Sequence, residues 1–412
     1  MTERLYYHDP FLYEFEGKIT EVVPASEINA RHGVFLDRTA FYPTSGGQVH
    51  DTGWMSMGDS ASAARLRVSE VVETEDGRVV HYIQADKPPE RGMLIRGTID
   101  PERRRDHMQQ HSGQHVLSAA FVRLFNVPTV SFHMGDDSCS IDLDTPNLTF
   151  RQVEQVEQLA NEVVQENRPV EIKFATQDEA QTLGLRKPPR ADKEQLRLID
   201  IQDFDLSACG GTHVRGTGQI GCILLRKFEK VRQGWRVEFA CGQRAVKTSR
   251  RDYTTLMEAA ALFSAHIWDV PEQVRKSLEE QRAARKNAEN LLEEIAELQA
   301  VRLLAETSSD SGRKTIVRVF ADRDLAFIRL LAQKLTRFET NVVALLASTS
   351  GQASLVFAQS KGMPFDMGAL LKHVMAGLGG RGGGSKDMAQ GGAPTTVGLE
   401  AALQAATGNF SR

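Results

Sequence analysis

Two pairs of metal-binding side chains constrain this chain more than any other feature of its sequence. His111 and His115 flank Ser-Gly-Gln in a stretch of helical periodicity, and Cys209 and His213 flank Gly-Gly-Thr nearly 100 residues later. Residues four apart share one face of a helix, so both imidazoles of the first pair can reach one ion. The two glycines permit a tight turn that brings Cys209 and His213 to one side. We therefore expect the fold to bring the two segments together.

The donor set predicts the identity of the metal. Three imidazole nitrogens and one thiolate suit tetrahedral zinc and suit magnesium or calcium poorly. Four protein ligands are typical of a closed structural site, whereas a catalytic zinc keeps a position open, so both interpretations stay open. The H-E-x-x-H metalloprotease class is excluded, because Ser112 occupies the position of its glutamate. Ligands on a helix and on a distant glycine-rich turn favour a cleft between elements.

The other histidine and cysteines near these motifs are predicted to have ordinary roles. His107 lies four residues before His111 and is expected to be a solvated helix residue, with a third imidazole on the ligand face as the alternative. Cys139, Cys222 and Cys241 lie in apolar, strand-like surroundings and are expected to be core residues. Four cysteines in 412 residues are too few for a secreted disulfide framework, which favours a reducing compartment and a cytoplasmic location.

Composition indicates an ordinary folded protein of two or three domains. The chain has 41% hydrophobic and 25% charged residues. No stretch reaches the roughly 18 apolar residues of a membrane span, and the first residues lack the apolar run of a signal peptide, so no membrane partner is expected. The net charge of -4 provides no general attraction for nucleic acid, so any RNA binding requires a local patch.

The pattern along the chain predicts an α+β protein of four parts. Residues 1–97 contain alternating stretches such as RLRVSEVVE and RVVHYIQ, which predict a small β-barrel-like domain. Residues 98–250 mix helical and strand signals and predict an α+β domain that contains the zinc site. Residues 251–309 predict a helical spacer, since 272–306 carries eight Glu, six Lys or Arg, and neither Gly nor Pro. Residues 310–412 alternate strands with helices and predict a small glycine-rich α/β domain.

The spacer helix allows two interpretations. Leu291, Ile295 and Leu298 have coiled-coil spacing, but the apolar seam is short. The helix either packs on its own protein or forms a homodimer contact.

The motifs together resemble those of a known family. HSGQH followed by CGGTHVRGTGQIG is similar to the editing domain of alanyl-tRNA synthetase and of the free-standing AlaX editing proteins. FYPTSGGQVHDTGW at 41–54 and SFHMGDDSCSIDL at 131–143 resemble further segments of that domain, and GGRGGGSKDMAQGG resembles the small C-terminal domain shared with DHH-type phosphoesterases. The resemblance runs nearly end to end and indicates the long AlaX form. Ser112 and Gly113 depart from the Thr and Ala of many members, which affects fine substrate preference.

The resemblance implies a trans-acting, zinc-dependent hydrolase that removes wrongly attached Ser or Gly from alanine tRNA. Such a zinc can polarise an ester carbonyl, orient the substrate or activate water. No Ser/His/Asp nucleophile arrangement is evident, so direct attack by water is expected, with the oxyanion held by the metal or by backbone amides. Two alternatives stay open: a non-catalytic tRNA-binding protein with a structural zinc, and a zinc hydrolase of small esters.

The YPTSGGQ segment provides the candidates for substrate chemistry. Thr44 and Gln48 offer a hydroxyl and an amide and are predicted as catalytic residues, Thr44 first, because a site that hydrogen-bonds a substrate hydroxyl rejects analogues lacking it by roughly 10⁴ to 10⁵. Gly46 and Gly47 are predicted to let the backbone approach the substrate, and His133 is predicted to bind substrate. The alternative is an ordinary hairpin turn whose polar residues face solvent.

A basic segment provides the best candidates for RNA contact. From Arg226 to Arg251 there are nine Lys or Arg and two Glu, a local balance of +7. Trp235 in its middle either stacks on RNA or is a core or surface aromatic, and a solvated face is the alternative for the charges. The predicted tRNA contacts in this segment are Arg226, Lys227, Lys230, Arg232 and Arg236.

The glycine tract near the C-terminus formally matches a dinucleotide fingerprint. It follows a helical segment instead of a strand, so a nicotinamide or flavin site is rejected. Lys386 does not directly follow Gly384, which also excludes a Walker A loop. Its backbone amides, with Arg381 and Lys386, are predicted to bind a phosphate or the RNA backbone. The resemblance implies a tRNA-contacting or dimerising role for this tract, and a flexible loop is the alternative.

Overall fold

The computed structural model describes residues 2–25, 31–57, 64–186 and 195–410. The chain forms two compact units, Met1–Glu258 and Ala259–Arg412. Helices and sheets are mixed in the first unit and alternate in the second, so the predicted α+β class is confirmed. The finer division at residues 97, 250 and 309 stays a prediction.

A closed six-stranded barrel begins the first unit. The first eight strands are β1 (Glu3–Arg4), β2 (Glu14–Val23), β3 (His32–Leu36), β4 (Arg38–Thr39), β5 (Gly53–Met57), β6 (Ala64–Glu73), β7 (Val79–Gln84) and β8 (Leu94–Ile99). Strands β2, β3, β7, β6, β5 and β8 close into the barrel in that order. Phe15 and Ile19 of β2 are buried in its core with Phe41 and Ile95, while their sequence neighbours on β2 alternate outward. The predicted barrel is therefore confirmed.

The helix with the first ligand pair is buried along most of its length. α1 (Pro101–Phe125) begins after Asp100, whose carboxylate accepts hydrogen bonds from the N–H groups of Glu102 and Arg103. Every residue from His107 to Phe121 is buried. Because buried polar groups require partners, several of its polar side chains bond to neighbouring elements, as the Gln110 amide does with the backbone N–H and C=O of Cys241.

Two antiparallel sheets and three further helices complete the first unit. The elements are β9 (Thr129–Met134), β10 (Cys139–Leu143), α2 (Phe150–Glu166), β11 (Val170–Thr176), α3 (Gln177–Thr182), β12 (Gln195–Ile201), β13 (Asp205–Ala208), β14 (Ile223–Val231), β15 (Gly234–Cys241) and α4 (Gly242–Leu262). One sheet has the order β14-β15-β10-β9 and the other β11-β12-β13. Ile141, Val237 and Phe239 of the first sheet share a core with Leu117 and Phe121 of α1. This core fixes the helix against the sheet.

The second unit is a five-stranded sheet with helices on both faces. Its elements are α5 (Val270–Glu306), β16 (Lys314–Phe320), α6 (Leu325–Phe338), β17 (Val342–Ser348), β18 (Ala353–Gln359), α7 (Met367–Gly377), β19 (Arg381–Gly384), β20 (Met388–Ala393) and α8 (Leu399–Thr407). The strand order is β16-β17-β18-β20-β19, and only β16 and β17 pair in parallel among these strands. β17 and β18 are buried throughout, as expected of strands covered on both faces.

The spacer helix α5 packs through a different face from the one predicted. Ala296, Ala300, Leu303 and Leu304 are buried in a core shared with α6. The predicted seam is exposed instead: Leu291 is 58% exposed, Ile295 41% and Leu298 66%. Both sets of residues have the same spacing of four and then three, so spacing does not distinguish the two faces, and the packed face begins with small alanines. Dimer contact through the exposed seam stays a prediction.

The glycine tract is a β-hairpin, so the flexible-loop alternative is wrong. β19 and β20 pair in register from Arg381 opposite Gly392 to Gly384 opposite Ala389. A Cβ on Gly382 would lie 2.8 Å from the Gly391 Cα and 3.0 Å from a methyl carbon of Leu371 on α7. The glycines therefore permit close packing between strands and helix.

Burial also corrects two expectations about single residues. His107 is 2% exposed and not solvated, because neighbouring elements cover the ring. Cys139 and Cys241 are core residues as predicted, whereas Cys222 is only half-buried and lines a cleft beside α2 and α4. Within the part of the chain that the structure describes, no helix is long and apolar enough to cross a bilayer.

Candidate metal centre

The two predicted ligand pairs converge on one point. One nitrogen from each of His111, His115 and His213 and the sulfur of Cys209 all lie within 4.8 Å of one another. The Cys209 sulfur is 3.4 Å from His111 Nε2 and 3.3 Å from His213 Nε2. The three imidazoles are buried and Cys209 is half-buried. This is the arrangement of soft and borderline donors that fits zinc.

The turn that carries Cys209 and His213, directly after β13, depends on a glycine. A Cβ on Gly211 would overlap Cε1 and Nδ1 of the His111 ring and would lie 2.9 Å from Gln48 Oε1. The absence of a side chain thus lets the turn pass directly beside the helix. One of the two glycines predicted to permit the turn is required by this close approach.

We expect Gly211→Ala to disrupt the centre. The added methyl group must displace either the His111 ring or the turn, which costs about 1–3 kcal/mol of unfolding free energy by overpacking. Denaturant unfolding and the zinc content per chain measure the effect. Gly377→Ala is the matched control, because a Cβ at Gly377 meets no atom within 4 Å; equal stability and zinc content in both variants would contradict the requirement for glycine.

Each ligand imidazole is held through its second nitrogen. His111 Nδ1 lies 2.8 Å from Gln48 Oε1 and His115 Nδ1 lies 3.0 Å from Asp205 Oδ2. His213 Nδ1 lies 3.3 Å from Ser112 Oγ. These contacts leave Nε2 of all three rings for a metal, and outer partners of this kind set ring orientation and tautomer.

Charges near the centre favour the ionised forms of Cys209 and Asp205. Burial alone would raise the pKa of the Cys209 thiol, but the charges of His111 and His213 lower it well below its usual range. The thiolate is the form that binds metal. Burial likewise opposes ionisation of Asp205, yet the hydrogen bond from His115 and the charge of Arg186 lower the pKa of Asp205 to about 2. Asp205 is therefore a carboxylate at neutral pH.

Two residues of this centre were not identified from the sequence. Arg197 on β12 donates from Nη1 to the carbonyls of Cys209, at 2.8 Å, and Gly211, at 2.9 Å, and from Nε to the Tyr7 carbonyl at 2.9 Å. It therefore holds both sides of the ligand turn. Asp205 is the other; it lies four residues before Cys209, and a carboxylate so close to a ligand motif is a usable signal. Arg197 lies in an ordinary strand pattern and has no such signal.

The glycine-containing segment before β5 reaches the centre through one residue. Gln48 is fully buried; its Oε1 contacts His111 and accepts from the Thr212 N–H at 3.1 Å, and its Nε2 donates to Thr212 Oγ1 at 2.8 Å. Gly47 has a φ of 85°, and a Cβ there would lie 2.6 Å from the Phe132 carbonyl oxygen. Gly46, with a φ of 58°, has no atom within 4 Å of such a Cβ. The structure thus gives Gln48 a positioning contact to a ligand.

Thr44 and His133 lie away from these contacts. The Thr44 side chain is exposed, and its hydroxyl is 3.0 Å from His50 Nδ1. His133 is exposed and follows Phe132, whose ring stacks on His111 with centroids 5.4 Å apart. Because successive side chains point to opposite faces of a strand, His133 points away from His111. The roles predicted for both residues stay predictions.

Carboxylates neutralise part of the predicted RNA-binding segment. Three of the five named cations are in ion pairs of 2.6 to 2.8 Å: Arg226 with Asp252, Lys227 with Glu229, and Arg236 with Asp142. Lys230 and Arg232 are exposed and have no ion pair within the described ranges. Trp235 packs against the core beside Phe228, which favours the core interpretation over stacking. The unpaired positive charge of this segment is therefore smaller than the balance of +7 counted from the sequence.

The two cations of the glycine tract are available at the surface. Arg381 begins β19 and Lys386 lies in the turn of the hairpin, and both side chains are exposed. Their predicted contact with phosphate is not blocked by burial.

Three family models match separate parts of the chain. Residues 2–103 match the family model "tRNA synthetases class II (A)", and residues 196–238 match the model of the threonyl and alanyl tRNA synthetase second additional domain. Residues 312–412 match the DHHA1 domain. The second match contains Cys209 and His213.

Similar proteins extend over nearly the whole chain. The alanyl-tRNA editing protein AlaX-L of Pyrococcus horikoshii is 32% identical over 398 residues, which cover 95% of this chain and 94% of that protein. The alanine–tRNA ligase of Pyrococcus furiosus is 31% identical over 402 residues, which cover 95% of this chain but 42% of the ligase. The C-Ala domain from Aquifex aeolicus alanyl-tRNA synthetase is 24% identical and covers 26% of this chain and 99% of that domain, with a TM-score of 0.25.

Proposed function

The chain belongs to the AlaX-L family of alanyl-tRNA editing proteins, and we propose that it is an aminoacyl-tRNA deacylase that removes Ser or Gly from mischarged alanine tRNA in trans. The observation that carries this proposal is the convergence of His111, His115, Cys209 and His213, with a separate partner for the second nitrogen of each imidazole. The reaction is hydrolysis of the ester between the amino acid and the terminal ribose.

The residues around the centre have separate roles in the reaction. His111, His115, Cys209 and His213 would hold zinc, which would supply a Lewis acid for the ester carbonyl. Gln48 and Asp205 hold the imidazoles of His111 and His115 in place, and Arg197 holds the ligand turn through two carbonyls. Ser112 is 1% exposed and its hydroxyl accepts from the Val214 N–H at 3.1 Å, so it serves as a hydrogen-bond partner and water is the nucleophile.

Deacylation of defined substrates tests this function. Purified, zinc-loaded protein should release serine from seryl-tRNA of the alanine isoacceptor and leave correctly charged alanyl-tRNA intact, and a chelator should remove the activity. Binding of that tRNA without turnover would favour the non-catalytic alternative. Cleavage of small free esters at a comparable rate, without need of tRNA, would favour the small-ester hydrolase.

Thr44 is our candidate for discrimination between serine and alanine. We expect Thr44→Val, which keeps the shape and removes the hydroxyl, to reduce the preference for seryl- over alanyl-tRNA by about tenfold, the worth of one hydrogen bond to the substrate hydroxyl. The ratio of the two deacylation rates measures it. Thr254→Val, at an exposed position of α4, is the control; an unchanged ratio in the Thr44 variant would remove Thr44 from this role.

We assign tRNA contact to the exposed cations of both units. Lys230 and Arg232 on the first unit and Arg381 and Lys386 on the second are free to meet phosphates, and Arg226, Lys227 and Arg236 would have to exchange carboxylate partners to do so. His133 remains our candidate for a contact with the bound tRNA end. A homodimer through α5 and a cytoplasmic location belong to the same proposal.

A further inference from the structure

One buried histidine near the metal centre lacks a partner. His107 is 2% exposed, and its Nδ1 has no hydrogen-bond partner within the described residues. A buried polar atom left unpaired destabilises the fold, and such atoms in folded proteins call for an explanation such as a bound group. The ligand imidazoles, in contrast, all have a partner for Nδ1.

The arginine one turn earlier on the helix also lacks a counter-charge. Arg103 is half-buried, donates from Nε to the His50 carbonyl at 2.9 Å, and forms no ion pair in the ranges that the structure describes. Its neighbour Arg104 pairs with Asp51, and Arg244 pairs with Asp106. Arg103 therefore keeps its terminal N–H groups for another acceptor.

Charge at this place selects the class of ligand. Burial, together with the positive charges of Arg103, Arg244 and Arg104, lowers the pKa of His107 to about 3. The ring is therefore neutral and can donate one N–H. Since Asp51 and Asp106 already neutralise Arg104 and Arg244, Arg103 is the cation left without an ion pair among the described residues here. An anion with several oxygens is the ligand that satisfies both His107 and Arg103.

The position of the pair relates it to the metal centre. Arg103, His107, His111 and His115 are spaced four apart, so each side chain neighbours the next along α1, while the row rotates by about 40° at each step. Arg103 lies about 12 Å along the helix axis from His111, at a rise of 1.5 Å per residue. A nucleotide strand whose 3′ end lies at the ligands would place a phosphate within this distance.

We propose that Arg103 and His107 form a phosphate-binding subsite for the 3′-terminal strand of the acylated tRNA. The Arg103 guanidinium donates to two phosphate oxygens and His107 donates its N–H to a third oxygen or to the same one. This inference rests on the proposed function, because it takes the tRNA end to lie at the metal centre.

Salt-dependent binding of uncharged alanine tRNA tests the role of Arg103. Arg103→Gln should weaken binding about tenfold and should lower the slope of log affinity against log salt by about 0.7, the value for one phosphate of a single strand. With the same tRNA trimmed of its 3′-CCA, wild type and variant should bind equally. Arg105→Gln, exposed on another face of α1, is the matched control and should leave the slope unchanged.

His107→Leu separates a ligand role from a structural one. Leucine fills a similar volume without an unpaired nitrogen, so the melting temperature should not fall while affinity for the full-length tRNA does. Unchanged affinity in this variant would mean that only a buried water bonds His107, and this would overturn its role. An unaltered salt slope in Arg103→Gln would overturn the subsite. So would the same loss of affinity when Arg103→Gln binds the trimmed tRNA, or when Arg105→Gln binds the full-length tRNA.

The two proposals fail in different ways. If wild-type protein deacylates seryl-tRNA but Arg103→Gln keeps the full salt slope, only the subsite is wrong. If the wild type shows no deacylation while the slope changes as expected, the proposed function fails and the subsite survives as part of a tRNA-binding surface.

Discussion

Cys209→Ala is expected to reduce zinc affinity at least about 100-fold and to abolish deacylation of seryl-tRNA. The sulfur is central to the cluster, in contact with Nε2 of both His111 and His213, and the lowered pKa of the thiol supplies the anionic donor. Structural sites with four ligands bind zinc with a free energy of about 10–16 kcal/mol. The loss of the only charged ligand therefore removes a large share of this binding free energy. Elemental analysis and competition with a chelator of known affinity measure the change.

The control for this variant is another cysteine of the same unit. Cys222→Ala removes a half-buried thiol that lines the cleft beside α2 and α4, outside the ligand cluster. It should retain one zinc per chain and wild-type deacylation. One tightly bound zinc per chain in Cys209→Ala, or full activity of the metal-free wild type, would refute the metal centre as the site of the reaction.

Asp205→Asn should have the second largest effect, although Asp205 is not a ligand. Asn keeps the size of the side chain but loses the charge that fixes His115 and pairs with Arg186, whose Nε lies 2.6 Å from Asp205 Oδ1. We expect zinc affinity to fall about 10- to 100-fold. Because the carboxylate is 1% and Arg186 14% exposed, the unfolding free energy should also fall by about 3–5 kcal/mol, the cost of breaking a buried pair.

Two further variants separate the effect of Asp205 on zinc binding from its effect on folding stability. Asp200→Asn, on β12, breaks only the exposed pair with Lys173 and should cost about 0–1 kcal/mol. The double variant Asp205→Asn with Arg186→Met removes both charges and should regain most of the stability, but it should not regain the zinc affinity. Wild-type zinc affinity in the double variant would show that Asp205 acts only through the fold.

The difference between the charged segment in the sequence and in the structure has a simple cause. The sequence count over Arg226 to Arg251 includes only local acids, whereas Arg236 is paired with Asp142 from a neighbouring strand. Sheet pairing brings β10 beside β15, and no linear window contains both. Charge counts along a chain therefore overestimate a patch wherever strands distant in sequence are adjacent.

The prediction that His107 is a solvated helix residue was wrong for a related reason. Its neighbours in the sequence are polar and charged, which is typical of a solvated helix start. Burial of α1 depends on elements distant in the sequence, such as α2, β10 and β15 after the helix and the loop residues His50 and Asp51 before it. The same burial leaves Nδ1 of His107 without a partner.

The sequence alone determined the elements and the donor atoms of this protein. The period-2 pattern of the barrel strands, the spacing of His111 and His115, and the Cys-Gly-Gly-Thr-His turn are local properties, and such a donor set suits zinc. Only the tertiary structure decided which second nitrogen meets Gln48, Asp205 or Ser112, and that Arg197 holds the turn. Hydrogen bonds act over about 3 Å, so partners that are distant along the chain cannot be assigned until packing has brought them together.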